Sequence, residues 1–169
     1  HADKIIDDND RTIIGNPNPT VYGNFTNKFV YKRLTLSAIC TYSYGNDVYN
    51  YKRSQLEAGS DLSNQTTALL RRWTADGQTT NQPKAVYGDP MGNARFSDRW
   101  IEDGSYFKLK SVTLSYDFPI KSDYIDGINF WISANNLFTL TKYLGSDPEF
   151  SAGNSAIYQG VDAGLIPQT

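Results

Sequence analysis

Histidine and cysteine are almost absent from this chain of 169 residues, which contains one of each. The single cysteine, Cys40, can form neither an internal disulfide nor a cysteine-based metal site. The single histidine, His1, stands at the first position, so no Ser–His or Cys–His pair and no histidine metal cluster can form within the chain. We therefore predict that the chain is not an enzyme and has no catalytic, cofactor-binding or metal-binding residue and no cofactor.

Long apolar runs and an excess of positive charge are also missing. No segment approaches the roughly 18 consecutive apolar residues of a membrane-spanning helix. The net charge of −2 gives no support to binding of nucleic acid, because neutralising phosphates requires clustered Lys and Arg. The first residues contain no basic segment followed by an apolar one. We therefore expect that the chain either is not exported or is part of a longer protein.

Two groups of acidic residues deserve separate consideration. Asp147 and Glu149 could act as paired carboxylates in hydrolysis, but Pro148 between them favours a turn. The acidic stretch at residues 7–10 resembles a loose calcium-binding cluster, but the glycine and the distal glutamate of the usual calcium loop are absent. A solvated acidic turn is the preferred interpretation of that stretch.

Aromatic residues are plentiful, at 14% of the chain, and apolar side chains alternate with polar ones in four stretches. These predicted strands lie at about 21–31, 34–45, 106–118 and 128–138. Only Lys32 and Arg33 separate the first two, which predicts a hairpin with a tight turn. A short connection joins the last two into a second hairpin. Two long segments, at about 46–104 and 139–169, are predicted as loops, with a helical turn or two at residues 66–73.

Two fold classes fit this alternation, a soluble β-sandwich and a segment of a transmembrane β-barrel. The polar faces carry mainly Ser, Thr and Asn, which favours a water-filled lumen over bulk solvent. Strands of about ten residues match a tilted bilayer crossing, and short turns on one side with long loops on the other are typical of outer-membrane barrels. By strict alternation Lys108 and Lys110 fall on the apolar face with Val112 and Leu114, at the loop end, where a membrane interface tolerates charge.

Several blocks of this sequence resemble, in order, the C-terminal part of SusC/RagA-type TonB-dependent outer-membrane transporters. The blocks are IGNPNPTVYGNFTNKFVYK, LTLSAICTYSYGNDVYN, SDRWIEDGSYFKLKSVTLSYDFP, FWISANNLFTLTKYLGSDPEF and QGVDAGLIPQ. The resemblance extends from about Ile14 to Gln168. It implies a plugged barrel of about 22 strands, of which residues 1–169 supply four antiparallel ones. A last strand should follow Gln168 and close the barrel, so we expect a fragment that is incomplete without the rest of the barrel.

The resemblance also implies a function, a location and a set of partners. It implies TonB-dependent import of glycan or peptide fragments across the bacterial outer membrane, with a SusD-type surface lipoprotein as partner. The chain would contact the remainder of its barrel, the plug and outer-membrane lipid, and TonB would act through parts that this sequence lacks. The tight turns at residues 32–33 and 120–127 would face the periplasm, and the two long loops would be extracellular.

The first long loop carries aromatic residues that could stack on sugar rings or anchor a protein partner. The candidates for contact with substrate or partner are Trp73, Tyr87, Trp100 and Tyr106. The alternative is that these rings pack the loop onto itself. The alternative function for the whole chain is a soluble β-sandwich that acts as a carbohydrate-binding module.

Overall fold

The computed structural model describes residues 10–120, 122–149 and 159–164. Its strands are β1 Val21–Tyr31, β2 Leu34–Tyr44, β3 Asp47–Asn50, β4 Ile101–Asp103, β5 Tyr106–Phe118, β6 Ile128–Thr141 and β7 Val161–Asp162. One α-helix, α1 Tyr51–Leu56, and two short 3₁₀ helices, Thr67–Arg71 and Asp98–Trp100, complete the regular structure. Among the described residues, no helix is long and apolar enough to cross a membrane.

The four long strands form one antiparallel sheet, here called the wall sheet, in the order β1-β2-β5-β6. The predicted all-β fold of antiparallel hairpins is confirmed. The sheet is open at β1 and β6, as expected for part of a barrel. β6 reaches Thr141, beyond the predicted end at about residue 138, because its last residues continue to pair with the start of β5, up to Thr141 opposite Tyr106.

The first hairpin turns in two residues. The register of β1 and β2 runs without a break from Val21 opposite Tyr44 to Tyr31 opposite Leu34. Lys32 adopts a φ of +54°, the left-handed conformation that two-residue hairpin turns require at their first position. A sequence rule that expects Gly or Asn at such a position would miss this turn, whereas the alternation on either side of it locates it.

The segment at residues 46–104 is not an irregular loop throughout. Together with β7 it forms a second, three-stranded sheet, here called the loop sheet, in the order β4-β3-β7. The most deeply buried apolar side chains of the described residues, Val48 and Trp100, lie in or beside this sheet. Strands of two to four residues are too short to show a period-2 pattern, so the sequence gives no signal for them.

Candidate functional site

Cross-strand pairing divides the wall sheet into an apolar face and a polar face. One row of directly paired apolar residues crosses all four strands: Phe29, Leu36, Leu114 and Ile132. The adjacent row points to the other side and is polar: Lys28, Ser37, Thr113 and Ser133. The hydroxyl oxygens of Thr113 and Ser133 lie 3.0 Å apart within hydrogen-bonding distance. The two predicted faces therefore run across the whole sheet.

The apolar face has no second layer over it in the described part of the chain. Phe29, Ile132 and Leu140 are each exposed by about three-fifths of their surface. Aromatic rings lie towards both ends of this face, with Phe107 and Phe138 6.5 Å apart near the loops and Tyr116 and Phe118 4.6 Å apart near the second turn. Amphipathic and aromatic rings at the two ends of a strand are typical of barrels, where they meet the headgroup regions.

The lysine at the start of β5 lies on the polar face, contrary to the prediction. The register of β5 shifts beside Lys110 against both neighbouring strands, and beyond the shift Lys108 pairs with Thr41 of β2 and Thr139 of β6. The prediction that Lys108 shares a face with Val112 was wrong, because a bulge adds one residue to a strand and reverses the faces beyond it.

The bulge places both lysines beside the acidic residues that follow β6. The Lys108 ammonium lies 2.8 Å from the Asp147 carboxylate and 3.2 Å from the Glu149 carboxylate, and Lys110 lies 2.6 Å from Glu149. Lys108 is only 5% exposed, and a charge at such a site requires paired charges or hydrogen bonds. The carboxylates are therefore ion-pair partners of the lysines, and the backbone N–H of Glu149 donates to Asp147 around the predicted turn at Pro148.

Carboxylates elsewhere form no metal site in the part of the chain that the structure describes. That part contains no group of three or more His, Cys, Asp or Glu side chains that could hold a metal ion. Of the acidic stretch considered above as a loose calcium-binding cluster, residues 7–9 lie outside the described residues.

Glu102 of β4 connects three parts of the loop region. Its carboxylate accepts hydrogen bonds from the Arg53 guanidinium at 2.7 Å, from the Asn50 amide at 3.2 Å and from the backbone N–H of Leu144 at 2.9 Å. Arg53 also pairs with Glu57 at 3.3 Å. Burial lowers the pKa of Arg53, but hydrogen bonds and charges from both carboxylates outweigh it, so the pKa is raised. Glu102 thereby ties the loop sheet and α1 to the chain that leaves β6.

Trp100 forms the centre of the loop region. Its indole is fully buried, donates from Nε1 to the backbone carbonyl of Arg95 at 3.1 Å, and has the guanidinium groups of Arg99 and Arg53 4.6 and 5.5 Å from its ring. Burial lowers the pKa of Arg99. Cation–π contacts of this kind stabilise partly desolvated guanidinium groups.

The structure does not bring the four candidate contact residues into one cluster, and no two of their rings are in contact within the described residues. Trp100 lies in the interior, so we assign it a packing role instead of contact with a ligand. Trp73 is half-buried, with the Lys84 ammonium 5.7 Å from its ring. Tyr87 is 80% exposed. Tyr106 is half-buried on the polar face of the wall sheet.

Two further contacts carry no signal in the sequence. The buried Tyr143 hydroxyl donates to the buried Asp162 carboxylate, and burial together with this bond raises the pKa of Tyr143. Tyr49 and the exposed Phe96 form a ring pair with centroids 4.5 Å apart. Both pairs join residues that no periodic pattern links, so only the folded chain reveals them.

Comparison with known proteins places this geometry in context. No family model matches the chain. It is 30% identical over 166 residues to TonB-dependent receptor P3 of Formosa agariphila, a match that covers 94% of this chain and 16% of that protein. It is 28% identical over 155 residues to TonB-dependent receptor SusC of Bacteroides thetaiotaomicron, covering 89% and 15%. Its homologues are TonB-dependent receptors, and SusC is among them.

A solved structure agrees with this similarity. The RagAB peptide importer in its closed-closed state matches with a TM-score of 0.71 and 31% identity over 88% of this chain and 16% of that one. The resemblance found in the sequence is thus confirmed. The chain spans less than a fifth of the length of these relatives. The relatives are named as receptors and importers, which agrees with the prediction that the chain is not an enzyme.

Proposed function

We propose that this chain is part of the barrel wall of a bacterial outer-membrane transporter that imports glycan or peptide fragments. The observation that carries the proposal is the wall sheet, a single layer with one exposed apolar face and one face of Ser, Thr, Asn and Lys. An apolar patch of that extent is unusual on a soluble monomer. Lipid would cover the apolar face, and further strands of the same barrel would pair with the open edges.

The connections suggest an orientation. The turn at Lys32–Arg33 and the connection between β5 and β6 would face the periplasm, since outer-membrane barrels have short periplasmic turns. The segments at 46–104 and after β6 would be extracellular. The loop sheet would then stand outside the membrane, above the outer rim of the barrel.

The homologues and the candidate aromatic residues support the proposed partners. The family implies that TonB supplies energy through a plug and that a SusD-type lipoprotein lies on the outside. TonB, the plug and the lipoprotein are not parts of this chain. A structural neighbour is a peptide importer, which supports a peptide cargo. Tyr87 and Trp73 could stack on sugar rings, which supports a glycan cargo, and with Tyr106 they stay our candidates for contact with substrate or partner.

The soluble carbohydrate-binding sandwich has less support. A sandwich needs a second sheet packed about 10 Å from the first, over its apolar face. The described residues supply no such layer, since the large side chains of that face, such as Phe29, Ile132 and Leu140, are exposed.

The proposal is tested by comparing Leu36→Arg with Thr35→Arg in the full-length receptor, with the amount of folded receptor in the outer membrane as readout. Leu36 lies on the apolar face and Thr35 on the polar one. An arginine facing lipid costs about 2 to 4 kcal/mol at the bilayer midplane and less towards the interfaces. We expect Leu36→Arg to reduce assembly strongly and Thr35→Arg to have little effect. Equal effects would contradict the assignment of the faces.

A further inference from the structure

The chain that leaves β6 folds back over the polar face of the wall sheet. β6 ends at Thr141, and residues 142–149, here called the strap, follow it. Asp147 in the strap reaches Lys108, which pairs with Thr139, two residues before the end of β6. The strap therefore runs back from the loop end of the sheet, so that Asp147 lies beside a residue pair inside the sheet.

Burial shows that the strap covers part of this face. Every residue of β6 is exposed except Thr139, which is half-buried. Lys108 beside it is 5% exposed, and Pro148 of the strap is buried. Because Lys108 and Thr139 point to the polar side of the sheet, the strap lies on that side.

Charge pairs attach the strap to the sheet at one end, and a second set of contacts holds the other end. Near the sheet, the Asp147 and Glu149 carboxylates pair with the ammonium groups of Lys108 and Lys110. Near the loop sheet, Leu144 donates its backbone N–H to Glu102, and Tyr143 donates to Asp162. Pairs in which the lysine is this buried are less screened than surface pairs, so they hold the strap in place more effectively.

We propose that the strap narrows the outer mouth of the translocation path. Its ion pairs with Lys108 and Lys110, here called the latch, hold it in that position. This inference rests on the proposed function, because the polar face borders a path only if the sheet belongs to a barrel. Breaking the pairs frees the strap to move off the wall and leaves two lysine charges facing the path.

The test uses the full-length receptor in outer membranes, with Cys40→Ser and no other cysteine, and measures labelling by a charged, membrane-impermeant maleimide. A probe cysteine at Thr139→Cys lies beneath the strap. Adding Asp147→Asn and Glu149→Gln should accelerate its labelling about 10- to 100-fold, the factor that one charged hydrogen bond contributes to an opening equilibrium. Ser146→Ala, an exposed change within the strap, should leave the rate unchanged.

A second probe separates failure of the latch from failure of the proposed function. Ile132→Cys lies on the apolar face and should label slowly, because lipid covers it; fast labelling would overturn the barrel function itself. If Ile132→Cys labels slowly, but Thr139→Cys labels at the same rate with and without Asp147→Asn and Glu149→Gln, the latch alone is overturned. If the double variant does not reach the membrane, Glu149→Gln alone carries the test, since it removes the partner that both lysines share.

Discussion

The Lys108 ammonium and the Asp147 carboxylate lie 2.8 Å apart although 39 residues separate them in the chain. The pair joins a strand of the wall sheet to the strap that covers it. It exists because the bulge at Lys110 turns Lys108 to the polar face. A single inserted residue in β5 thus moves a charge from the apolar face to the polar face, where it anchors the strap.

A double-mutant cycle on this pair should reveal a direct coupling. We expect Lys108→Met and Asp147→Asn each to increase hydrogen exchange in a peptide spanning residues 142–149 of the full-length receptor. The double variant should be less affected than the sum of the two, with an interaction energy of about 0.5 to 3 kcal/mol. Strictly additive effects would mean that the two side chains act independently.

β6 contains a bulge of its own, because it advances three positions from Asn135 to Phe138 where β5 advances two from Ser111 to Leu109. Asn136 has a φ of +51°, a left-handed conformation that Gly and Asn tolerate and β-branched residues do not. We expect Asn136→Gly to assemble normally and Asn136→Val to lose about 1 to 3 kcal/mol through backbone strain, seen as less folded receptor in the outer membrane. Asn135→Val, one residue away and without a positive φ, serves as the control. Normal assembly of Asn136→Val would show that β6 can be rebuilt without the bulge.

Alternation predicts the faces of the long strands well, because a period of two persists over ten or more residues. Leu36 and Thr35 could be assigned to opposite faces from the sequence, and the pairing with Leu114 and Ser115 agrees. The same rule failed at Lys108, because a bulge leaves no mark in the pattern of residue types.

The loop region could not be predicted in the same way. Its strands are too short for periodicity, and the ring of Trp100 lies against Arg53, which is far away in the chain, as well as against its neighbour Arg99. The sequence therefore left open whether Trp100 contacts a ligand or packs the loop onto itself, and the structure has it buried. Tyr87, which lies in the same polar segment, is exposed, so residue type alone does not separate the two.

Truncation of these two rings should have opposite consequences. Removing a buried aromatic side chain costs about 3 to 5 kcal/mol, so Trp100→Ala should loosen the loop region and make residues 46–104 sensitive to protease added outside cells. Tyr87→Ala should change stability by no more than about 0.5 kcal/mol and leave protease resistance intact. Sensitivity of both variants, or of neither, would contradict the packing role of Trp100.

Tyr143→Phe tests the bond that anchors the far end of the strap. The change leaves the Asp162 carboxylate buried without its phenol donor, which costs about 1 to 3 kcal/mol. We expect faster hydrogen exchange in the strap and in β7, with no change in the wall sheet. Tyr124→Phe, at a position 96% exposed, is the matched control and should change nothing.

The same bond gives a pH dependence with a definite sign. Burial and the bond to Asp162 raise the pKa of Tyr143, so its contribution to stability is complete below about pH 10, the ordinary value for a phenol. As the pH rises above that value, the unfolded chain loses its phenol proton before the folded one does, and the contribution declines until the folded pKa is passed. The loop region should therefore loosen at alkaline pH more in the original chain than in Tyr143→Phe, as measured by protease resistance across a pH series. An identical alkaline decline in both chains would show that Tyr143 contributes none of it.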